Sequence, residues 1–114
     1  MTFDPRLPAD PVAFIRAKVR AGAIFWTYHV NMRLRGRFIE RRRIIDSVES
    51  YELVESYPGD KYLPSYLVLA QHSGEAFHVV FAIDALGDNV RIVTAYRPSP
   101  DEWELDLKTR RKTQ

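Results

Sequence analysis

The hydrophobic pattern changes its period near residue 51, and this change constrains the fold more than any other feature. Before it, apolar residues recur at helical spacing, as in Val12, Ile15 and Val19. After it, alternating and continuous apolar runs follow one another, separated by turn signals such as Ser73-Gly74. Helices followed by a strand meander predict an α+β domain, with the N-terminal helices packed on one antiparallel sheet of about four strands.

Local signals place three helices before this change. Asp10-Pro11 is typical of an N-cap followed by proline at the first helical position, and Gly22 is well placed as a stop. Thr27 is expected to cap the second helix. The predicted helices cover about residues 11–21, 28–35 and 41–50. The apolar run 24–26 fits either a strand or a buried connection.

The second half of the chain predicts the sheet and the limits of the domain. The predicted strands cover about residues 51–57, 66–72, 76–85 and 90–96. Three prolines in the first eleven residues predict an extended N-terminal segment over 1–10, followed by a single domain over 11–107. Residues 108–114 carry four basic residues and no acidic one, and they predict a basic tail.

Composition excludes several classes of protein. The 114 residues are 46% hydrophobic and 28% charged, which is typical of one globular domain. The absence of cysteine excludes a disulfide scaffold, thiol catalysis and Cys-ligated zinc. No apolar run is long enough for a membrane span, and residues 1–10 lack the apolar core of a secretory signal. We therefore expect a cytoplasmic protein.

Motifs for metals and common cofactors are not found. The three histidines, His29, His72 and His78, have no metal-ligand spacing, and the phosphate-binding loop and the nucleophile elbow are both missing. The sequence therefore predicts a protein without a metal ion or cofactor.

Charge is distributed very unevenly around the net value of +2. Residues 1–43 have a balance of +7, residues 44–107 a balance of −9, and residues 108–114 a balance of +4. Such asymmetry favours a polyanion on one face or a partner protein that neutralises it. Solvated helix faces explain the pattern equally well at this stage.

Several short motifs in a fixed order resemble a known family. They are His29-x-x-x-Arg33, Arg37-Phe38-Ile39 before a helix, His78-Val79-Val80, Ile92-x-Thr94-x-Tyr96-x-Pro98, and then Trp103 and Arg110-Arg111. Together they resemble a family of small bacterial proteins of unassigned function over about residues 25–111. Gly36 precedes Arg37 where that family has the reverse order, so the loop before the third helix is expected to differ.

This resemblance implies a fold and a function. The implied fold is the compact RelE/MqsR-like one, in which helices precede a curved antiparallel sheet. The family is similar to toxins encoded beside an antitoxin, here of the YgiT-type zinc-finger class. The resemblance therefore implies a RelE-like toxin that cleaves RNA without metal by attack of the 2′-hydroxyl, with RNA and an antitoxin as its partners.

Four residues are candidates for the catalytic chemistry. His29 and His78 are predicted to transfer protons, because histidine titrates near neutral pH. Arg33, one helical turn from His29, is predicted to hold the scissile phosphate, and Tyr96 to orient or stack a nucleotide. Each also has a structural reading: a helix surface for His29 and Arg33, a satisfied buried histidine for His78, and core packing for Tyr96.

A larger set of arginines is predicted to bind RNA. These residues are Arg37, Arg41, Arg42, Arg43, Arg91, Arg97, Arg110 and Arg111. Trp103 is expected to cap the sheet edge rather than to stack a base. Two alternatives to a nuclease remain: a non-catalytic module of the same fold that binds RNA or protein, and a structural protein whose charged faces pair in a homodimer.

Overall fold

Apart from one short strand after the first helix, the helices precede the strands in the computed structural model, which describes residues 4–112. The elements are α1 (Pro11–Arg20), β1 (Ile24–Trp26), α2 (Tyr28–Gly36), α3 (Arg41–Asp46), a 3-10 turn (Val48–Ser50), β2 (Glu52–Tyr57), β3 (Ser65–His72), β4 (Glu75–Asp84) and β5 (Asn89–Tyr96). The predicted α+β class is confirmed. The ends of the predicted N-terminal segment and basic tail, residues 1–3 and 113–114, lie outside the described residues.

The sheet differs from the prediction in size and direction. It has five strands in the order β1-β5-β4-β3-β2, where about four were predicted. Strands β2 to β5 are antiparallel, whereas β1 pairs in parallel with β5, with Trp26 opposite Ile92. The sheet is therefore mixed. A three-residue apolar run carries no periodicity of its own, so only its distant partner identifies β1 as a strand.

The signals predicted to begin the first two helices are confirmed. The Ala13 amide donates to the Asp10 side chain at 3.0 Å, and the Val30 amide donates to the Thr27 hydroxyl at 3.0 Å. Gly22, just past α1, has a φ of 75°, which a glycine adopts without strain. Among residues 4–112, no helix is long and apolar enough to cross a membrane.

The third helix is shorter than the predicted 41–50. It ends at Asp46, where the Ser47 hydroxyl donates to the Ile44 carbonyl at 2.8 Å and the 3-10 turn follows. Cations in its first turn oppose the helix dipole, but they have partners elsewhere. Arg41 donates to the Asn31 side chain at 2.8 Å, and Arg43 lies 3.1 Å from Glu75.

Strand β4 divides its side chains between two layers. As predicted, Phe77, Val79, Phe81 and Ile83 are buried in the core that the helices cover. The alternate residues His78, Val80 and Ala82 lie on the opposite side of the sheet, which we call the distal face. The candidate site residues that lie on strands are described below, and the distal face positions them.

Residues 98–112, the C-terminal segment, pack on one end of the distal face. Trp103 is 2% exposed and forms an isolated antiparallel bridge with Arg110. Lys108 pairs with Glu52 at 2.7 Å, and Arg110 pairs with Glu55 of β2 at 2.6 Å. The described part of the predicted tail is therefore tied to the sheet by its basic side chains.

The loop between α2 and α3 holds one residue in a strained conformation. Phe38 has a φ of 55°, in the left-handed region, although it is a bulky residue that is 86% exposed. Arg97 fixes the loop by donating to the Arg37 carbonyl at 2.5 Å and to the Phe38 carbonyl at 3.1 Å. The left-handed conformation costs roughly 1–2 kcal/mol for a residue with a side chain.

Replacing Phe38 should therefore stabilise the fold. We expect Phe38→Asn to raise the free energy of unfolding by up to about 1 kcal/mol, because asparagine tolerates positive φ and little burial is lost. Chemical denaturation measures the change. Tyr62→Asn is the control, since Tyr62 is 83% exposed at an ordinary φ. A loss of stability in Phe38→Asn would show that the aromatic ring supports the fold.

Candidate functional site

A groove of about 1080 Å³ runs over the distal face. Val80 and Ala82 of β4 contribute to its lining, and His29, at the start of α2, lies at one side. Tyr57 and the loop after β2 contribute the other side, while Arg91 and Val93 line it from β5. Both the helix start and the β2–β3 loop thus converge on one strip of the sheet.

The charged groups of the groove are mainly basic. Lys61 and Arg91 line it as cations, together with one carboxylate, that of Asp60. Asp60 accepts a hydrogen bond from the Ser65 hydroxyl. Arg91 lies 3.4 Å from Asp84, and its side chain is half exposed. The groove can therefore attract an anion.

Two tyrosines give the groove aromatic surface. Tyr62 is 83% exposed, and the Lys61 ammonium lies 5.3 Å from the centre of its ring. Tyr57 donates its hydroxyl hydrogen to Glu55. Burial raises the pKa of Tyr57, and the hydrogen bond to Glu55 raises it further, so this phenol stays protonated at neutral pH.

Only one residue of the predicted pair on α2 lines the groove. His29 and Arg33 are exposed, and they lie four residues apart on a helix anchored by buried Val30 and Leu34. His29 lines the groove, whereas Arg33 is not among the lining residues. The structure thus places one of the two predicted groups where a ligand in the groove can reach it.

His78 lies outside the groove and is completely buried. Its Nε2–H donates to the Leu107 carbonyl at 2.7 Å, since a carbonyl can only accept. Nδ1 is then the acceptor, and it faces the Tyr96 hydroxyl at a longer distance of 3.4 Å. Burial lowers the pKa of His78, which the hydrogen bond to Leu107 partly offsets. The structure brings His78 to Tyr96, and it encloses His78 beneath the C-terminal segment, whereas Tyr96 is half-buried.

Trp103 forms the cover over this buried histidine. Its ring meets the His78 ring edge to face at 4.5 Å, and the Arg110 guanidinium lies 4.6 Å from the centre of the Trp103 ring. The predicted preference for packing over base stacking is confirmed. The predicted position at a sheet edge is wrong, because Trp103 contacts β4, which lies between two other strands.

The arginines predicted to bind RNA all have partners within the fold. Most of these partners are carboxylates or carbonyls, and Arg41 also stacks on Trp26 at 4.9 Å. The pairs are Arg37 with Thr94 and Ala95, Arg41 with Asn31, Arg42 with Asp46, Arg43 with Glu75, Arg91 with Asp84, Arg97 with Glu75, Arg110 with Glu55, and Arg111 with Pro100, Trp103 and Glu104. Part of the charge asymmetry is therefore neutralised internally.

Sequence reasoning missed the part of the groove that the β2–β3 loop provides. Tyr57, Lys61 and Tyr62 were not predicted as site residues, although aromatic and basic residues around the Pro58-Gly59-Asp60 turn were the available signal. His72, at the end of β3, does not line the groove. Among residues 4–112, no three His, Cys, Asp or Glu side chains are grouped to hold a metal ion.

A family model described as the domain of unknown function DUF4258 matches residues 26–97. The chain belongs to the DUF4258 family. This confirms the predicted membership of a small family of unassigned function. No curated protein and no solved structure matches the chain. The DUF4258 match includes α2 and β2–β5, and hence the main groove residues and His78, but it ends before the C-terminal segment that covers His78.

Lowering the pH should destabilise this DUF4258 domain through His78. Because burial lowers its pKa below the ordinary 6.5, the unfolded chain binds a proton there more readily than the folded chain. We expect the free energy of unfolding to fall as the pH decreases from about 7.5 to about 5.5. Chemical denaturation across that range measures the slope.

The control for this effect keeps the hydrogen bond and removes the titration. His78→Gln can still donate to the Leu107 carbonyl, and it should show a smaller pH dependence than the wild type. His72→Gln should keep the wild-type slope. Equal slopes in all three proteins would contradict the assignment.

Proposed function

We propose that this DUF4258 protein is a RelE-like toxin that binds single-stranded RNA in the groove and cleaves it without a metal ion. The observation that carries the proposal is the convergence of His29, Lys61, Arg91 and two tyrosines on one apolar strip of the sheet. A single RNA strand offers phosphates to the cations and unstacked bases to the aromatic rings.

The groove suits RNA because its cations can contact phosphates while its aromatic and apolar side chains can contact bases. Lys61 and Arg91 can each contact a phosphate, and a base can stack on exposed Tyr62. Asp60, which accepts a hydrogen bond from the Ser65 hydroxyl, is the single acidic side chain among the lining residues, so the two cations outnumber it. Val80 and Ala82 offer apolar surface between these groups.

Cleavage in the groove needs only proton transfers and charge stabilisation. His29 removes the proton of a 2′-hydroxyl, and the 2′-oxygen attacks the adjacent phosphorus. The bond from phosphorus to the 5′-oxygen breaks, which gives a 2′,3′-cyclic phosphate and a 5′-hydroxyl. Solvent water protonates the leaving 5′-oxygen, because the Tyr57 hydroxyl donates its hydrogen to Glu55. Arg91 stabilises the charge that develops on the phosphate.

The proposal assigns different tasks to the other predicted catalytic residues. His78 has partners at both ring nitrogens and no exposed surface, so we assign it and Tyr96 to holding the C-terminal segment on the sheet. Exposed Arg33 extends the basic surface beyond His29. An antitoxin of the zinc-finger class, which the family resemblance implies, and a cytoplasmic location, which the composition favours, complete this proposal.

The alternative is a non-catalytic module that binds RNA in the same groove. The burial of His78 favours it, because the predicted pair of histidines is then reduced to one accessible histidine. Both functions need Lys61, Arg91 and the tyrosines, and only cleavage needs His29 to exchange a proton.

Cleavage without metal is the first test. Purified protein in EDTA should convert labelled single-stranded RNA to fragments ending in a 2′,3′-cyclic phosphate, and His29→Ala should reduce the rate by on the order of 100-fold. His72→Ala is the matched control and should retain full activity. No cleavage by the wild type, with RNA binding intact, would support the binding module instead. Full activity in His29→Ala would remove His29 from the mechanism.

The salt dependence of RNA binding tests the groove itself. The logarithm of affinity should fall linearly with the logarithm of salt concentration, and Lys61→Ala or Arg91→Ala should each reduce the slope by about 0.7. Arg42→Ala is the control, because Arg42 is exposed, pairs with Asp46 and lies outside the groove. Filter binding with a labelled oligonucleotide measures this. A reduced slope in Arg42→Ala alone would show that the RNA binds outside the groove.

A further inference from the structure

The outward side of α2 carries a stripe of large exposed side chains. Tyr28, Met32 and Arg35 recur at i, i+4 and i+7, on the side of the helix away from buried Val30 and Leu34. Tyr28 is 80% exposed and Met32 is 47% exposed. Phe38, 86% exposed, continues the stripe just beyond the helix. We call Tyr28, Met32, Arg35 and Phe38 the α2 surface.

A cavity of about 530 Å³ adjoins this surface. Leu34, Phe38 and Ile39 give it apolar walls, and Arg35 and Arg41 lie at the same site. It shares no lining residue with the groove. An aromatic residue beside an apolar cavity is the arrangement in which interfaces place their strongest contacts.

The charge of the α2 surface is uncompensated. The sequence of α2 contains no acidic residue, and within residues 4–112 neither Arg33 nor Arg35 makes an ion pair. This contrasts with the arginines that pair inside the fold. Of the residues that line the cavity, Glu40 alone is acidic. An occupant with carboxylates is therefore favoured.

The conformation of Phe38 gives the fold no evident benefit. The residue buries little surface and adopts a strained φ, yet two hydrogen bonds from Arg97 to the loop carbonyls hold it there. Strain that is maintained around an exposed aromatic side chain is typical of a contact made with another molecule.

We propose that the α2 surface docks an acidic amphipathic helix of a partner protein, with one apolar side chain of that helix in the cavity beside Phe38. Met32 and the apolar cavity walls of Leu34 and Ile39 favour a protein over RNA, because they offer neither a hydrogen bond to a phosphate nor an aromatic ring on which a base can stack. A second copy of this chain is disfavoured, since α1 and α2 contain no acidic residue and α3 contains only Asp46. The proposal does not depend on RNA binding in the groove.

The test uses a pool of labelled helical peptides with glutamate fixed at the polar positions and apolar residues varied on one face. The wild-type protein is expected to retain members of this pool and none of a matched pool with lysine in place of glutamate. Phe38→Asn should weaken binding by at least about tenfold, as expected for an aromatic anchor. Arg35→Glu should weaken the binding of the acidic peptides and permit the binding of basic ones.

Control variants separate docking from unfolding and from the groove. Leu105→Asn alters a residue that is 93% exposed elsewhere, and Lys61→Ala alters the groove; both should bind the acidic peptides as the wild type does. If a variant unfolds, Tyr28→Ala tests the same surface. The proposal is overturned if no acidic peptide binds, or if Phe38→Asn and Arg35→Glu leave binding unchanged. It is also overturned if Phe38→Asn instead abolishes RNA binding or a homodimer.

Discussion

Burial on both sides of β4 is the constraint on which the rest of this structure depends. One set of its side chains, including Phe77, Val79 and Phe81, builds the core beneath the helices. The alternate set ends in two different environments: His78 is sealed by the C-terminal segment, and Val80 and Ala82 line the groove. A shift of one residue in register would exchange these sets and place His78 in the core, so the strand pairing fixes both the stability and the site.

Charge pairing decides which surfaces remain available to other molecules. Basic residues from the helices and the C-terminal segment pair with the acidic middle of the chain, as in Arg20 with Glu49, Arg43 with Glu75 and Arg110 with Glu55. Exposed pairs of this kind contribute little stability, about 0–1 kcal/mol each. Their larger effect is to neutralise much of the basic surface. Within residues 4–112, the cations outside these ion pairs include Arg33 and Arg35 on α2 and Lys61 in the groove.

The boundary of the DUF4258 match separates two parts of the distal face. The residues that form the groove and the buried histidine all lie within 26–97, whereas Trp103 and Leu107, which enclose that histidine, lie beyond it. No residue of the C-terminal segment lines the groove. The burial of His78, by contrast, depends on that segment. A site open to ligands and a histidine closed to them therefore coexist on one sheet, and only the first fits the proposed chemistry.

The sequence by itself determined the order of helices and strands, the helix caps at Asp10 and Thr27, and the core face of β4, because these follow from local hydrogen bonding and from periodicity. It also identified His29 as a candidate site residue. Only the tertiary structure decided that β1 joins β5 in parallel, that Tyr57 and Lys61 come to lie in one groove with His29, and that His78 is enclosed. These features depend on contacts between residues far apart in the chain, which no local pattern encodes.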